Sequence, residues 1–245
     1  MKRNVQQHGQ HFLRGRAFIA ELIGHSNVRK NDTVLDIGAG SGAIAGVLAG
    51  RARQVIAYEP EPTANALLRK NMQRNDNVMV LQEDFLKAEL PDVPYKVFSN
   101  IPFHLSSEIV RKLTSSAHPP KTVYLIVQKQ FAQKLIATGD HFHGALGMAI
   151  APWWAVRIRR PLRKTDFTPP PAVDTVLLEL KPHETPYLDR AQQAAYVDFV
   201  MECYAAPRFY AAAGGDKDKR PSTLSPAEWV RLFTCLLYTS PSPRD

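Results

Sequence analysis

The sequence predicts an α/β protein, with a mostly parallel sheet that carries one antiparallel strand, followed by a small α-helical C-terminal domain. Three observations predict it. Strand-like apolar runs alternate with helical patterns between residues 17 and 137. The first run, Thr33–Ile37, opens directly into the glycine-rich turn Gly38-Ala39-Gly40-Ser41-Gly42. Beyond Lys181-Pro182 only helical signals remain. Regular alternation implies parallel neighbours joined by helices that cover both faces of a sheet.

Taken in order, residues 1–16 are polar and basic and read as a mobile arm. Ala17–Ile23 is a short amphipathic helix. Thr33–Ile37 is a buried strand, because Val34, Leu35 and Ile37 cluster before a glycine turn. Ala43–Ala49 is a helix, Gln54–Tyr58 a strand, and Pro62 to about Arg74 a helix. Val78–Leu81 and Tyr95–Ser99 are strands, the second ending at Asn100. Ser106–Leu113 is helical, Thr122–Val127 is a fifth strand, and a helix crosses Lys129–Ala137. Trp153–Arg160 and Val173–Leu180 follow as two strands with no helix between them, and an antiparallel pair would close the sheet. Ala191–Tyr204 and Ser225–Phe233 are helices. The second carries a capping box, with Ser225 as N-cap, Pro226 first in the helix and Glu228 three residues on. Gly214–Arg220 is a flexible loop. Residues 235–245 continue no pattern and read as a non-native tail.

Composition narrows the function. The 245 residues are 44% hydrophobic, enough for a real core, and carry a formal charge of +8. Two blocks are lopsided: six cations against Glu21 in residues 1–30, and Arg157, Arg159, Arg160, Arg163 and Lys164 without an acid. Such blocks suit a polyanion such as nucleic acid. The second block alternates on a strand, so only part of it can face one partner. Cys203 and Cys235 are too few for a disulfide framework and fit no zinc spacing. No signal peptide is legible, and no run approaches the roughly 18 continuous apolar residues of a membrane helix. A cytoplasmic monomer is expected, with no metal and no membrane partner.

The glycine turn satisfies G-x-G-x-x-G/A, which by itself identifies only a nucleoside-binding crevice. Asp36 bears on which nucleoside. Asp36 stands two residues before Gly38, where a carboxylate repels a dinucleotide pyrophosphate but favours the sulfonium and ammonium of S-adenosylmethionine. Glu59 closes the second strand, where a carboxylate can accept both ribose hydroxyls, a role common to both cofactors. Asp84 follows the third strand and can accept the adenine amine, with Phe85 lining the same pocket. Three acids at the carboxyl ends of consecutive strands stand where an open α/β sheet binds its ligand.

Asn100-Ile101-Pro102-Phe103 follows the fourth strand. A nucleobase amine is a poor nucleophile because its lone pair is delocalised into the ring. Two acceptors for its two hydrogens favour the tetrahedral, nucleophilic form. The Asn100 side-chain oxygen and the carbonyl of Ile101 or Pro102 can be those acceptors. Pro102 fixes the turn, and Phe103 offers a ring face to a flipped base. Positioning then carries most of the catalysis, with no strong general base required.

With both motifs placed, the chain resembles the rRNA adenine N6-methyltransferase family over about residues 6–235. That family includes the Erm 23S rRNA methyltransferases and the KsgA-type small-subunit dimethyltransferases. Further anchors of the likeness are Gly9-Gln10-His11-Phe12-Leu13 and the proline-rich Asp166–Val173 segment. The resemblance implies a Rossmann-like class I adenosylmethionine-dependent fold. It places cofactor contacts at His11, Leu13, Gly38, Glu59, Asp84 and Asn100, to which the glycine turn adds Gly40. The family usually has Asn where this chain has His11, though histidine still donates or accepts a hydrogen bond. The resemblance also puts the proline-rich loop near the target base, so Phe167 is expected to assist Asn100, Pro102 and Phe103. Phe103 and the His104-Leu105-Ser106 continuation look like the Erm branch. That branch implies mono- or dimethylation of one adenine N6 in 23S rRNA, in protein-free or pre-ribosomal form, and macrolide-lincosamide-streptogramin B resistance. The expected catalytic domain is 1–181 and the RNA-binding helical domain 182–234. Two alternatives are a KsgA-type 16S rRNA dimethyltransferase and a non-catalytic RNA- or DNA-binding factor on the same fold.

Other features carry blander readings. His141 and His143 lack a nearby acid or cysteine and read as a loop pair. Trp153 and Trp154 read mainly as core. Lys129 and Lys134 read as a solvated helix face.

Overall fold

A computed structural model describes residues 11–138, 143–216 and 218–239. The first ten residues of the expected arm, including Gly9 and Gln10, lie outside the described residues, as do His141, Lys217 and the Ser-Pro-rich end of the expected tail.

The chain runs β1 (Phe12–Leu13), α1 (Arg16–Gly24), β2 (Thr33–Ile37), α2 (Ala45–Leu48), β3 (Gln54–Tyr58), α3 (Pro62–Met72), β4 (Val78–Leu81) and β5 (Tyr95–Asn100). It continues with α4 (Ser106–Ser115), β6 (Val123–Gln128), α5 (Lys129–Leu135), α6 (Ala145–Ile150), β7 (Trp154–Leu162), β8 (Phe167–Thr168) and β9 (Thr175–Pro182). Helices α7 (Gln193–Ala205), α8 (Pro207–Ala212) and α9 (Pro226–Thr239) complete it.

The main sheet has the order β4-β3-β2-β5-β6-β9-β7. The pairs β4–β3, β3–β2, β2–β5 and β5–β6 are parallel. Strand β9 inserts between β6 and β7, and the sheet carries one antiparallel strand. All five residues of β2 are buried, as expected of a central strand covered on both faces. The order reverses at β2, which has β3 on one side and β5 on the other. A crevice therefore opens at the carboxyl ends of β2 and β5, where the connections diverge. Buried Ser99 stitches those ends together: its Oγ donates to the Ile37 carbonyl at 2.5 Å and accepts from the Ile37 N–H at 3.1 Å.

Two compact units emerge, one from residues 1–130 and 158–179, the other from residues 131–157 and 180–245. Within the second, Trp153 meets Tyr196 edge-on at 5.6 Å, and Tyr196 meets Phe233 at 5.2 Å. Phe199 joins them beside Trp229, with 6.0 Å between ring centroids. Trp153 and Trp154 are both buried, so neither ring is open to a base. The capping box forms as read: Ser225 N–H and Oγ both donate to Glu228, and Glu228 N–H returns to Ser225 Oγ at 3.3 Å.

Three expectations are corrected. The last residues of the arm are ordered, because Phe12 and Leu13 pair antiparallel with Thr168 and Phe167. Helix α9 does not stop at Phe233 but runs to Thr239, since no proline interrupts the chain between Pro226 and Pro241. The short helices α6 and α8 were not anticipated; each has six residues, too few to show a periodic apolar face.

Gly42 sits at φ +90°, and a Cβ there would lie 2.6 Å from Leu68 Cδ1. Gly42→Ala is expected to cost about 1–3 kcal/mol through backbone strain and overpacking. Thermal unfolding should show a clear drop in Tm.

Candidate active site

Three glycines of the turn adopt the left-handed conformation, at φ 68° (Gly38), 55° (Gly40) and 90° (Gly42). The turn is folded by its own neighbours. Gly38 and Ala39 N–H groups donate to the Tyr58 carbonyl at 2.8 and 3.0 Å, and Gly40 N–H donates to Glu59 Oε2 at 2.8 Å. A dinucleotide-binding loop would keep such amides for its pyrophosphate. Here they are consumed, and the buried carboxylates of Asp36 and Glu59 stand alongside. The crevice thus selects against a diphosphate.

The glycines also admit close neighbours. A Cβ on Gly38 would lie 3.3 Å from Pro102 Cδ, and one on Gly40 would lie 3.1 Å from the Phe12 ring. The two sequence motifs therefore meet: Pro102 packs on the glycine turn. A crevice runs between them, lined by His11, Phe12, Gly38, Gly40 and the Asn100–Phe103 turn. A second hollow is lined by Leu13, Asp36, Ser41 and Asn100.

Two buried acceptors in these hollows have no partner, Asn100 Oδ1 and Asp36 Oδ2. Asn100 is oriented from behind, because its Nδ2 donates to the His11 carbonyl at 2.7 Å. With the amine end tied, the oxygen must face the ligand space. Burial pushes the Asp36 carboxyl from the ordinary 3.8 to about 7, against hydrogen bonds from Ala45 and Ser99, with the Glu59 charge adding to the rise. A buried unpaired acceptor is costly unless a ligand supplies a donor. A cationic ligand rich in N–H groups fits both positions; S-adenosylmethionine is such a ligand.

The remaining predicted residues fall into place unevenly. Glu59 is buried, its Oε1 accepting Glu61 N–H at 3.0 Å, and each oxygen keeps a further lone pair for a hydroxyl. Asp84 is half-buried and opens a tight turn, with Oδ1 accepting Leu86 N–H at 3.0 Å. Phe85 is buried, edge-on to Tyr58 at 5.3 Å. Leu13 is buried behind the second hollow. The His11 ring stacks on Phe103 at 5.8 Å, and its Nδ1 lies 2.8 Å from the Pro169 carbonyl. Sequence reasoning missed Phe12 as a site residue. The ring is 39% exposed and lies over Gly40; the signal was a large apolar residue in a polar arm. It also missed Ser99, which no motif marked.

Phe167 is a correction. Its ring is fully buried in the core with Leu13, Ile19 and Leu22, so it offers no face to a base. The reason is alternation: within β8 Phe167 points inward and Thr168 outward. The basic block is also partly occupied: Arg160 pairs with Glu21, and Arg159 donates to the His25 carbonyl at 3.1 Å. His143 is buried, with Nδ1 3.0 Å from the Ile136 carbonyl. Among the described residues, no group of acids, histidines and cysteines could hold a metal ion, and no helix is long and apolar enough to cross a membrane.

A mostly parallel sheet reversing at β2, a glycine turn whose Gly38, Ala39 and Gly40 amides are already bonded, and acids at consecutive strand ends give the chain the fold of the class I adenosylmethionine-dependent methyltransferases. The chain belongs to the ribosomal RNA adenine dimethylase family, whose pattern matches residues 1–208. It is 31% identical, over 94% of its length, to an rRNA adenine N-6-methyltransferase of Saccharopolyspora erythraea. It is 29% identical, over 74% of its length, to ribosomal RNA small subunit methyltransferase A of Streptococcus thermophilus. It spans 65% and 66% of the lengths of these two relatives, respectively. Among solved structures it is similar to the 23S rRNA methyltransferase ErmE, with a TM-score of 0.75 and 29% identity, covering 92% of this chain and 99% of that one.

Two outcomes follow from the site. An acid with a raised folded pKa holds a proton that the unfolded chain releases. The ligand-free protein should therefore lose stability as pH rises from the ordinary carboxylate range through about 7, and level off above it. Asp36→Asn should remove that slope in Tm measured against pH, and should weaken adenosylmethionine binding in titration calorimetry. Phe167→Ala should cost about 3–5 kcal/mol in denaturant unfolding, as for other buried aromatics, while Phe167→Leu should keep most methyl transfer.

Proposed function

We propose that this chain transfers methyl groups from S-adenosylmethionine to N6 of an adenine in 23S rRNA, once or twice at the same nitrogen. The observation that carries the reading is the buried, partnerless Oδ1 of Asn100, held toward the crevice by the bond from Nδ2 to His11. In this reading Asn100 Oδ1 accepts one hydrogen of the adenine amine. The Pro102 carbonyl already accepts Leu105 N–H at 3.0 Å, which leaves the Ile101 carbonyl the freer acceptor for the other. Pro102 sets the turn against Gly38, and Phe103, half-buried at the crevice mouth, stacks on the flipped base. Bound adenosylmethionine supplies an electrophilic methyl on sulfur. Asp36 faces its cationic end, Glu59 takes the ribose hydroxyls, and Asp84 with Phe85 takes the adenine. Gly38, Gly40, His11 and Leu13 shape the walls. The nitrogen gains a bond to carbon as the carbon–sulfur bond breaks, and the proton leaves to solvent.

The 23S preference rests on the likeness to the 23S rRNA methyltransferase ErmE, which extends across 92% of this chain. The Phe103-His104-Leu105-Ser106 continuation points the same way. Resistance to macrolides, lincosamides and streptogramin B would follow from methylation at the drug site. The small-subunit relative favours a second reading, a 16S rRNA adenine dimethyltransferase.

Labelled methyl transfer to protein-free 23S and 16S rRNA, with the modified base mapped, separates the two. The proposal expects N6-methyladenine in 23S; label confined to 16S overturns it. Asn100→Ala should lower kcat by about 100-fold or more, comparable to losing one preorganised hydrogen-bond partner of a transition state. Full activity in that variant would remove Asn100 from the mechanism.

A further inference from the structure

The segment between β4 and β5 carries Asp84 and Phe85. Leu86 N–H bonds to the Asp84 side chain, and the N–H groups of Lys87 and Ala88 bond to the Asp84 carbonyl at 2.9 and 3.0 Å. The loop is thus one helical turn, and its carbonyls emerge together at the far end. A single turn is marginal unless those carbonyls find donors.

Lys112 supplies them. It stands on α4, the helix that begins just after the Asn100–Phe103 turn. Its ammonium donates to the Phe85 carbonyl at 2.7 Å, the Leu86 carbonyl at 3.1 Å and the Ala88 carbonyl. All three N–H donors of the ammonium are therefore used on one turn. The same nitrogen lies 5.1 Å from the centre of the Phe85 ring. A cation at the carbonyl end of a helical turn also complements its dipole. The neighbour Arg111 is exposed and makes none of these contacts.

We propose that Lys112 is a positioning residue for the adenine end of the cofactor site, holding the Asp84–Ala88 turn through three carbonyls. This rests on the reading of Asp84 and Phe85 as the adenine contacts. Lys112 stands on α4, which begins at Ser106 directly after the target-base turn, so one helix links the adenine position of the cofactor to that of the substrate. A guanidinium is a planar fork and cannot reproduce three converging donors.

The test is cofactor binding and steady-state kinetics of the full chain. Lys112→Met should raise Kd for adenosylmethionine about tenfold, as expected for losing charge-assisted hydrogen bonds. It should raise Kd for 5′-methylthioadenosine, which carries the adenine without the amino-acid end, by the same factor. KM for cofactor should rise while kcat at saturation holds. Lys112→Arg should recover only part of the affinity, and Arg111→Met should change nothing. If Lys112→Met folds poorly, hydrogen exchange of the Leu86–Ala88 amides in Lys112→Arg gives the answer, with faster exchange expected. Wild-type affinity in Lys112→Met, or unchanged exchange in Lys112→Arg, overturns the proposal. Asp84→Asn separates the two layers: unchanged affinity there overturns the adenine reading itself, whereas weakened affinity there with an inert Lys112→Met overturns only the role of Lys112.

Discussion

The 2.7 Å hydrogen bond from the Asn100 amide to the His11 carbonyl is the constraint on which the candidate site depends. It consumes the donor end of Asn100 and leaves the acceptor end buried and free. Both partners are anchored by the fold. Asn100 ends β5, whose carboxyl end is stitched to β2 through Ser99. His11 precedes β1, which the pairing with β8 holds against the first unit, and its ring reaches the Pro169 carbonyl. The proline-rich segment therefore acts through the backbone it supports. Phe167 secures that segment by its burial.

Electrostatics divides the molecule by role. The chain is basic overall, at +8, while the crevice is acidic, with Asp36 and Glu59 buried in it. A net positive field draws a polyanion toward the surface and raises its encounter rate. In the proposed reading the local acids repel phosphate and accept a cation. The glycine turn reinforces this choice, because Gly38, Ala39 and Gly40 have no N–H left for a diphosphate. The same sequence signature thus serves a different nucleoside once its amides are accounted for.

Much of this was legible in the sequence. The strands Thr33–Ile37, Gln54–Tyr58 and Val78–Leu81 are found with the bounds expected, because buried strands flanked by turn residues leave a strong local signal. The meeting of Asn100 with the glycine turn followed from their places at strand ends. What escaped was non-local. Two-residue strands such as β1 and β8 have no period of their own and exist only because Phe12 and Leu13 pair with Thr168 and Phe167, far along the chain. Phe167 looked available because an aromatic on a proline-rich loop reads as exposed, and only the pairing register turns it inward. Lys112 was invisible for a similar reason: a lysine on an amphipathic helix carries no mark of the three carbonyls it meets in the fold.

The most direct measurement is a crystal structure of the chain with a non-reactive adenosylmethionine analogue and a short RNA bearing the target adenine. The account predicts the flipped adenine stacked on Phe103, with N6 within hydrogen-bond distance of Asn100 Oδ1 and the Ile101 carbonyl, and Nδ2 still on His11. An adenine seated away from the Asn100–Phe103 turn, or an Asn100 amide turned with its nitrogen toward the base, would contradict it.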